Sequence, residues 1–287
     1  MRYIIKSKEL TAEIDSSGAE VRSVKRGGRE YMWCGDSAYW GRVSPVLFPF
    51  VGRVRNGKYR CGGTEYSMGQ HGFARDMEFE MVSHSEDTVS FELRSSGETL
   101  KKYPFDFVLG ITYTVKDNVL TVGWTVENTN DSEMYFSIGA HPAFMCPIDG
   151  GEQPDYKLRF DADRIEYYLL DNGLLDKSKG YELPINNGYA DITKGMFDKD
   201  ALIVEGRQAR EISLCRSDGK EYITVKTDAP LFGLWSPAGK NAPFICIEPW
   251  YGRCDASDFD GELSGREYSN TLPEKGKFNA EYSVCFN

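Results

Sequence analysis

The chain has 287 residues, with 34 basic against 44 acidic side chains and a formal net charge of −10. That length buries a full hydrophobic core without help from disulfides or metals, which excludes a peptide ligand or a small adaptor. A pI near 5.0 sets the surface against nucleic acid and anionic membrane, whose phosphates repel it.

The opening residues Met1-Arg2-Tyr3-Ile4-Ile5-Lys6 contain no apolar run of signal-peptide length. Seven cysteines, at 34, 61, 146, 215, 246, 254 and 285, include no C-x-x-C pair. They read as reduced thiols of a cytoplasmic protein rather than a zinc framework.

Alternation of period two dominates the chain, and strands are expected in order at 2–6, 88–94, 134–141, 156–160, 201–205, 231–235, 243–248 and 280–286. Two hairpins interleave with them. Ile111 to Val115 and Val119 to Val126 flank Asp117-Asn118, and Glu211 to Arg216 and Tyr222 to Thr227 flank Asp218-Gly219, in each case β-branched runs around residues that tolerate positive φ. Helical turns are expected only near 97–103 and 194–199. No linker, repeat or shift in composition interrupts the sequence. The expectation is one all-β domain over 1–287, a large antiparallel sandwich with a concave sheet face free for a ligand.

Only three histidines exist. His84, in Ser83-His84-Ser85-Glu86-Asp87, reads as a solvated loop residue. His141 closes the segment Tyr135-Phe136-Ser137-Ile138-Gly139-Ala140, with Phe136, Ile138 and Ala140 on a core face and Tyr135, Ser137, Gly139 and His141 on a polar one. Pro142 then stops the ladder. An imidazole held at a strand end over small residues suits proton transfer near neutral pH, and a hydrogen-bonded core histidine fits the pattern equally well. Glu248 repeats the device. It ends the apolar run Ala242 to Ile247 and precedes Pro249 and Trp250, so its carboxylate needs either a partner or a chemical task.

His71 lies in Gln70-His71-Gly72-Phe73-Ala74-Arg75. Arg53 and Arg75 are flanked by glycines and apolar residues, unlike ordinary surface arginines. A guanidinium fork there recognises hydroxyls, carboxylates or phosphates, or else pairs with a local acid. Trp235 and Trp250 could stack on a sugar face or fill the core. No H-x-H, H-x-x-x-H, phosphate-loop or G-x-S-x-G pattern is present, so neither metal nor cofactor is expected. Asp255, Asp258 and Asp260 read as a turn cluster, with paired carboxylates of a glycosidase as the alternative.

Phe-Pro-Phe-Val-Gly-Arg (48–53), His-Gly-Phe-Ala-Arg (71–75), Gly-Ala-His-Pro-Ala-Phe (139–144) and Ile-Glu-Pro-Trp-Tyr-Gly (247–252) occur in an order and spacing that resembles the aldose 1-epimerase family, in its LacX-like branch. The resemblance implies a β-supersandwich with a sugar in its cleft and mutarotation of an aldose without a cofactor, by a monomer or homodimer. It implies Glu248 as the base at the anomeric O1, His141 as the acid at ring oxygen O5, and His71, Arg75 and Arg53 as substrate contacts. A phosphosugar epimerase and a non-catalytic sugar-binding module are the alternatives. Galactose mutarotases carry Asn-His-Ser-Tyr-Phe where this chain has Ala-His-Pro-Ala-Phe, and their sugar-reading aspartate has no matching position in the sequence.

Overall fold

Two large antiparallel sheets organise the computed structural model, which describes residues 1–287. The nine-stranded sheet runs in the order Tyr189–Asp191, Lys157–Phe160, Glu211–Cys215, Glu221–Thr227, Lys277–Phe286, Val119–Asn128, Phe107–Lys116, Thr88–Arg94, Glu80–His84. Both expected hairpins are in it. Asp117 takes φ 51° at the first turn and Gly219 φ 83° at the second, the left-handed values that Asp and Gly accept.

The second sheet begins with the hairpin Ile165–Asp171 and Leu174–Leu183. It continues through Leu202–Glu205, Leu231–Trp235, Phe244–Tyr251, Ile138–Ala140 and Val46–Leu47, and Ala143–Met145 pairs with the far half of Phe244–Tyr251. One core cluster of 64 residues fills the space between the sheets, with Ile245, Ile247 and Leu234 from one and Val122, Trp124 and Val225 from the other. A smaller four-stranded sheet, Arg2–Lys6 to Arg29–Glu30, packs on the flank. The other face of the second sheet is lined by separate small clusters and carries a cleft.

Three expectations needed correction. The strand placed at 134–141 breaks at Ser137. Met134–Phe136 pairs with Asn270–Leu272, and Ile138–Ala140 pairs instead with Phe244–Tyr251. Ile138, Gly139 and Ala140 are all buried, so the polar face expected there does not form. Pro249 does not end its strand. It sits opposite Phe232, and pairing runs on to Tyr251, which leaves Glu248 in mid-strand opposite Gly233. The segment 194–199 is a series of turns, whereas the other expected helical turn is the single short helix Gly97–Leu100, capped by Ser96. Strands at Leu10–Asp15 and Glu20–Arg26 and the long hairpin 165–183 were not expected; in the hairpin, partly exposed Tyr167, Leu169 and Leu170 stand among charged residues and blur the alternation.

Candidate functional site

Alternation along Phe244–Tyr251 builds the floor of the cleft. Ile245 and Ile247 point into the main core, while Phe244, Cys246, Glu248 and Trp250 point to the opposite face. Glu248 is 1% exposed there. His141 occupies the break between Ile138–Ala140 and Ala143–Met145, held by its backbone N–H to the Pro45 carbonyl at 3.1 Å. Both of these short strands pair with the strand of Glu248, so the two side chains meet across the ladder. His141 Nε2 lies 3.4 Å from Glu248 Oε2. The Trp40 indole stacks on the imidazole at 4.7 Å between centroids, and Trp235 meets it edge-on at 5.3 Å.

His71 arrives from a loop. It takes φ 66°, and Gly72 follows at φ 71° beside the Phe48 carbonyl, where a Cβ would lie 2.2 Å from the oxygen. Only glycine fits, and the close approach locks loop 71–75 to loop 48–53. The His71 N–H donates to the Gly52 carbonyl at 2.8 Å, and the Gly52 N–H donates back to His71 Nδ1 at 3.0 Å. With Nδ1 accepting, the neutral ring carries its proton on Nε2, which lies 3.2 Å from the Gln70 side-chain amide nitrogen, and the ring stands T-shaped to His141 at 5.6 Å between centroids.

Gly139 and Gly233 have a steric task. A Cβ on Gly139 would meet the Trp250 ring at 2.6 Å, and one on Gly233 would meet it at 2.5 Å, so both make room for the indole that floors the cleft.

The cleft encloses about 390 Å³ and is lined by every residue singled out above: Arg53, His71, Arg75, His141, Trp235, Glu248 and Trp250. Its volume falls in the range of roughly 300–1,000 Å³ usual for small-molecule sites. Residues that the sequence did not flag also line it, chiefly Trp40, Arg42, Gln70, Leu170 and Asp200. Asp200 holds φ 73° and puts a carboxylate in the cleft that no motif announced. Trp40 and Arg42 sit in an irregular loop about a hundred residues before His141, where periodicity is silent.

The electrostatics of the pair are set by burial. Burial, reinforced by the Asp200 charge, holds the Glu248 carboxyl well above the usual carboxylate range. Burial and the Arg75 and Arg42 cations push the His141 imidazole down to about 3. Burial therefore disfavours an ionised Glu248 facing a protonated His141 and favours the carboxylic acid beside the neutral imidazole, which holds the same number of protons as the ion pair. Glu248 Oε2 and His141 Nδ1 are buried without hydrogen-bond partners. His71 is also held neutral, by burial first and then by His141, Arg75, Arg42 and Arg53.

Three guanidinium groups flank the His71 end. Arg42 pairs with Asp76 at 2.7 Å, and Arg75 lies 3.8 Å from the same acid while donating to the Gln70 carbonyl at 2.7 Å. Arg53 donates to Gln70 Oε1 at 3.2 Å and to the Asn172 carbonyl at 3.4 Å, both uncharged acceptors. The sequence spacing offered no metal ligands, but the fold brings His141, Cys246 and Glu248 together. Asp255 is instead bound to Arg266 at 2.6 Å and to the Arg55 N–H at 2.8 Å, outside the cleft, so the glycosidase pairing is absent there.

The profile of the family described as aldose 1-epimerase matches residues 1–268. The chain is 33% identical over 264 residues to the chromosomal protein LacX of Lactococcus lactis subsp. lactis, covering 88% of each. It is 28% identical over 151 residues to a putative glucose-6-phosphate 1-epimerase of Escherichia coli K12, covering 47% of this chain and 48% of that one. The crystal structure of a galactose mutarotase related enzyme from Lactobacillus acidophilus superposes with a TM-score of 0.95 at 34% identity, over 100% of this chain and 97% of the other.

Proposed function

The chain belongs to the aldose 1-epimerase family, and we propose that it interconverts the α and β anomers of a hexose through Glu248 and His141. One observation carries the reading. Two buried proton-transfer groups, 3.4 Å apart and without other partners on the facing atoms, lie in a cleft of about 390 Å³. No other cleft residue pairs an acid with a base in this way.

The proton inventory supports the chemistry. In the ion-pair form Glu248 removes the proton from the anomeric O1 hydroxyl while His141 protonates ring oxygen O5, and the C1–O5 bond breaks to give the open-chain aldehyde. Glu248 is then a carboxylic acid and His141 a neutral imidazole, the form that burial favours. Rotation about C1–C2 and the reverse transfers close the ring on the other face. A sugar hydroxyl against each group supplies the polar contact that the empty cleft lacks, and the reverse transfers themselves regenerate the ion pair for the next turnover. His71 Nε2–H donates to a hydroxyl beside the reacting centre. Arg75 orients the sugar, and Trp235 and Trp250 shape its apolar face.

A second reading, a 6-phosphorylated hexose, is favoured by Arg42, Arg53 and Arg75 converging at one end of the cleft in a chain of net charge −10. Two guanidinium groups match a phosphate dianion in charge and geometry. The relative named as a putative glucose-6-phosphate 1-epimerase agrees with it. Anomer exchange by NMR saturation transfer, on glucose, galactose and their 6-phosphates side by side, separates the readings. Acceleration on a free hexose is expected. Acceleration on the phosphates alone, with Arg75→Ala raising KM for them by at least about tenfold, transfers the assignment to the phosphosugar. Acceleration on none of them contradicts both.

A further inference from the structure

Cys246 stands two residues before Glu248 on the same face of that strand, fully buried beneath the cleft lining and without a role in ring opening. A ligand atom from each of His141, Cys246 and Glu248 lies within 4.8 Å of the others. Glu248 and His141 are 1% and 7% exposed, and Glu248 Oε2, which faces His141 Nε2, is buried without a hydrogen-bond partner. We infer that His141, Cys246 and Glu248 form a binding site for a thiophilic divalent cation of the zinc type, and that its occupancy switches the epimerase off.

The donor set fits that class of ion. An imidazole nitrogen, a thiolate and a carboxylate are the ordinary ligands of zinc, at bond lengths of about 2.0–2.3 Å, which put tetrahedral ligand atoms roughly 3.3–3.8 Å apart. His141 Nε2 and Glu248 Oε2 already have this spacing at 3.4 Å. Cys246 Sγ lies within 4.8 Å of both, and binding requires it to close the remaining distance. The backbone beneath is rigid, because Ala143, two residues after His141, pairs directly with Cys246. Three protein ligands leave the fourth position open to the cleft, where water or a sugar hydroxyl completes the tetrahedron. Magnesium and calcium, which take six or more oxygens, find a single carboxylate here and are excluded. A bound cation replaces the Cys246 thiol proton and the proton held by the Glu248–His141 pair, releasing both to solvent. Neither residue can then exchange a proton with a sugar. The inhibition, though not the binding, rests on the epimerase reading.

Cobalt(II) reports the site without reference to activity. In a Cys34→Ser background, which removes the exposed thiol, one equivalent of Co²⁺ is expected to give a thiolate charge-transfer band and tetrahedral visible bands. Cys246→Ala abolishes the band. In parallel, Zn²⁺ stops anomer exchange reversibly, EDTA restores it, and Mg²⁺ has no effect. Cys246→Ala keeps the metal-free rate and needs at least about tenfold more Zn²⁺ for the same inhibition. Cys246→Ser, close to isosteric, is the second variant should alanine impair folding, and it too loses the band. The absence of a Cys246-dependent band, or equal zinc sensitivity with and without the thiol, overturns the proposal. A band in a protein that accelerates no anomer exchange leaves the site standing and removes the epimerase reading instead.

Discussion

Two groups of buried ionisable side chains lie on and just beyond the strand Phe244–Tyr251, and they are treated in opposite ways. Arg253, Asp255 and Arg266 are 2%, 5% and 6% exposed. Every one of them is matched. Arg266 binds Asp255 at 2.6 Å and the Arg253 carbonyl at 2.9 Å, and packs over the Phe50 ring at 4.7 Å, while Arg253 is held by Glu205 and Glu267. Glu248 and His141 are buried as deeply, yet their facing atoms have only each other. A buried charge with a full set of partners is a structural tie. A buried pair left short of partners needs another account, and in the proposed reading the missing partners arrive with the sugar.

The sharpest way to break the comparison is His141→Asn. If the unmatched pair is the acid–base machinery, this variant loses roughly 10²–10⁴ in kcat for anomer exchange while staying folded. Polarimetry beside a thermal melt checks both halves. Asp255→Ala is the mirror experiment. It strands the Arg266 guanidinium and is expected to cost about 3–5 kcal/mol of stability, read from denaturant unfolding. The protein that remains folded keeps its rate per molecule, and a lost rate in that fraction would put Asp255 in the chemistry.

The pH profile of kcat/KM sharpens the contrast further. Burial raises Glu248 and lowers His141 to about 3, so neither is expected to titrate at its ordinary value. The acid limb is expected well below the ordinary histidine value, and the alkaline limb, where Glu248 gives up its proton, well above the ordinary carboxylate value. An acid limb near the ordinary histidine value of about 6.5 would mean a freely titrating imidazole. The smallest effect concerns stability. Because the folded pKa of Glu248 lies above its unfolded value, the stability linked to its proton is present at low pH and is lost as pH rises through the folded value. Glu248→Gln removes that loss, so its melting temperature relative to the parent should increase from mildly acidic to alkaline buffer. A difference that shrinks with pH would contradict a raised Glu248.

The alternation at 242–248 was enough to place Glu248 and Cys246 on one face and Ile245 and Ile247 on the other, as the separate clusters bear out. Both hairpins were equally plain, since turn chemistry is local. The site residues Arg53, His71, Arg75, His141, Trp235, Glu248 and Trp250 do share one cleft, and glycine and proline neighbours were the signal that set several of them apart. What stayed hidden is what depends on distant contact. The break at Ser137 exists because its two halves pair with different strands. Trp40 matters only because it reaches the His141 ring, and Asp200 only because a turn with φ 73° tips it into the cleft. The direction of the two pKa shifts follows from burial on folding, which no spacing in the chain encodes.

The central claim, that Glu248 and His141 act as one proton-exchanging unit on a sugar, meets its most direct test in Glu248→Gln. Anomer exchange by saturation transfer and sugar affinity by calorimetry would be measured on the same preparation. The account predicts a fall in turnover of at least about 10² with affinity nearly unchanged, because the amide keeps the shape and loses the transferable proton. Turnover equal to that of the parent chain would contradict it and take Glu248 out of the mechanism.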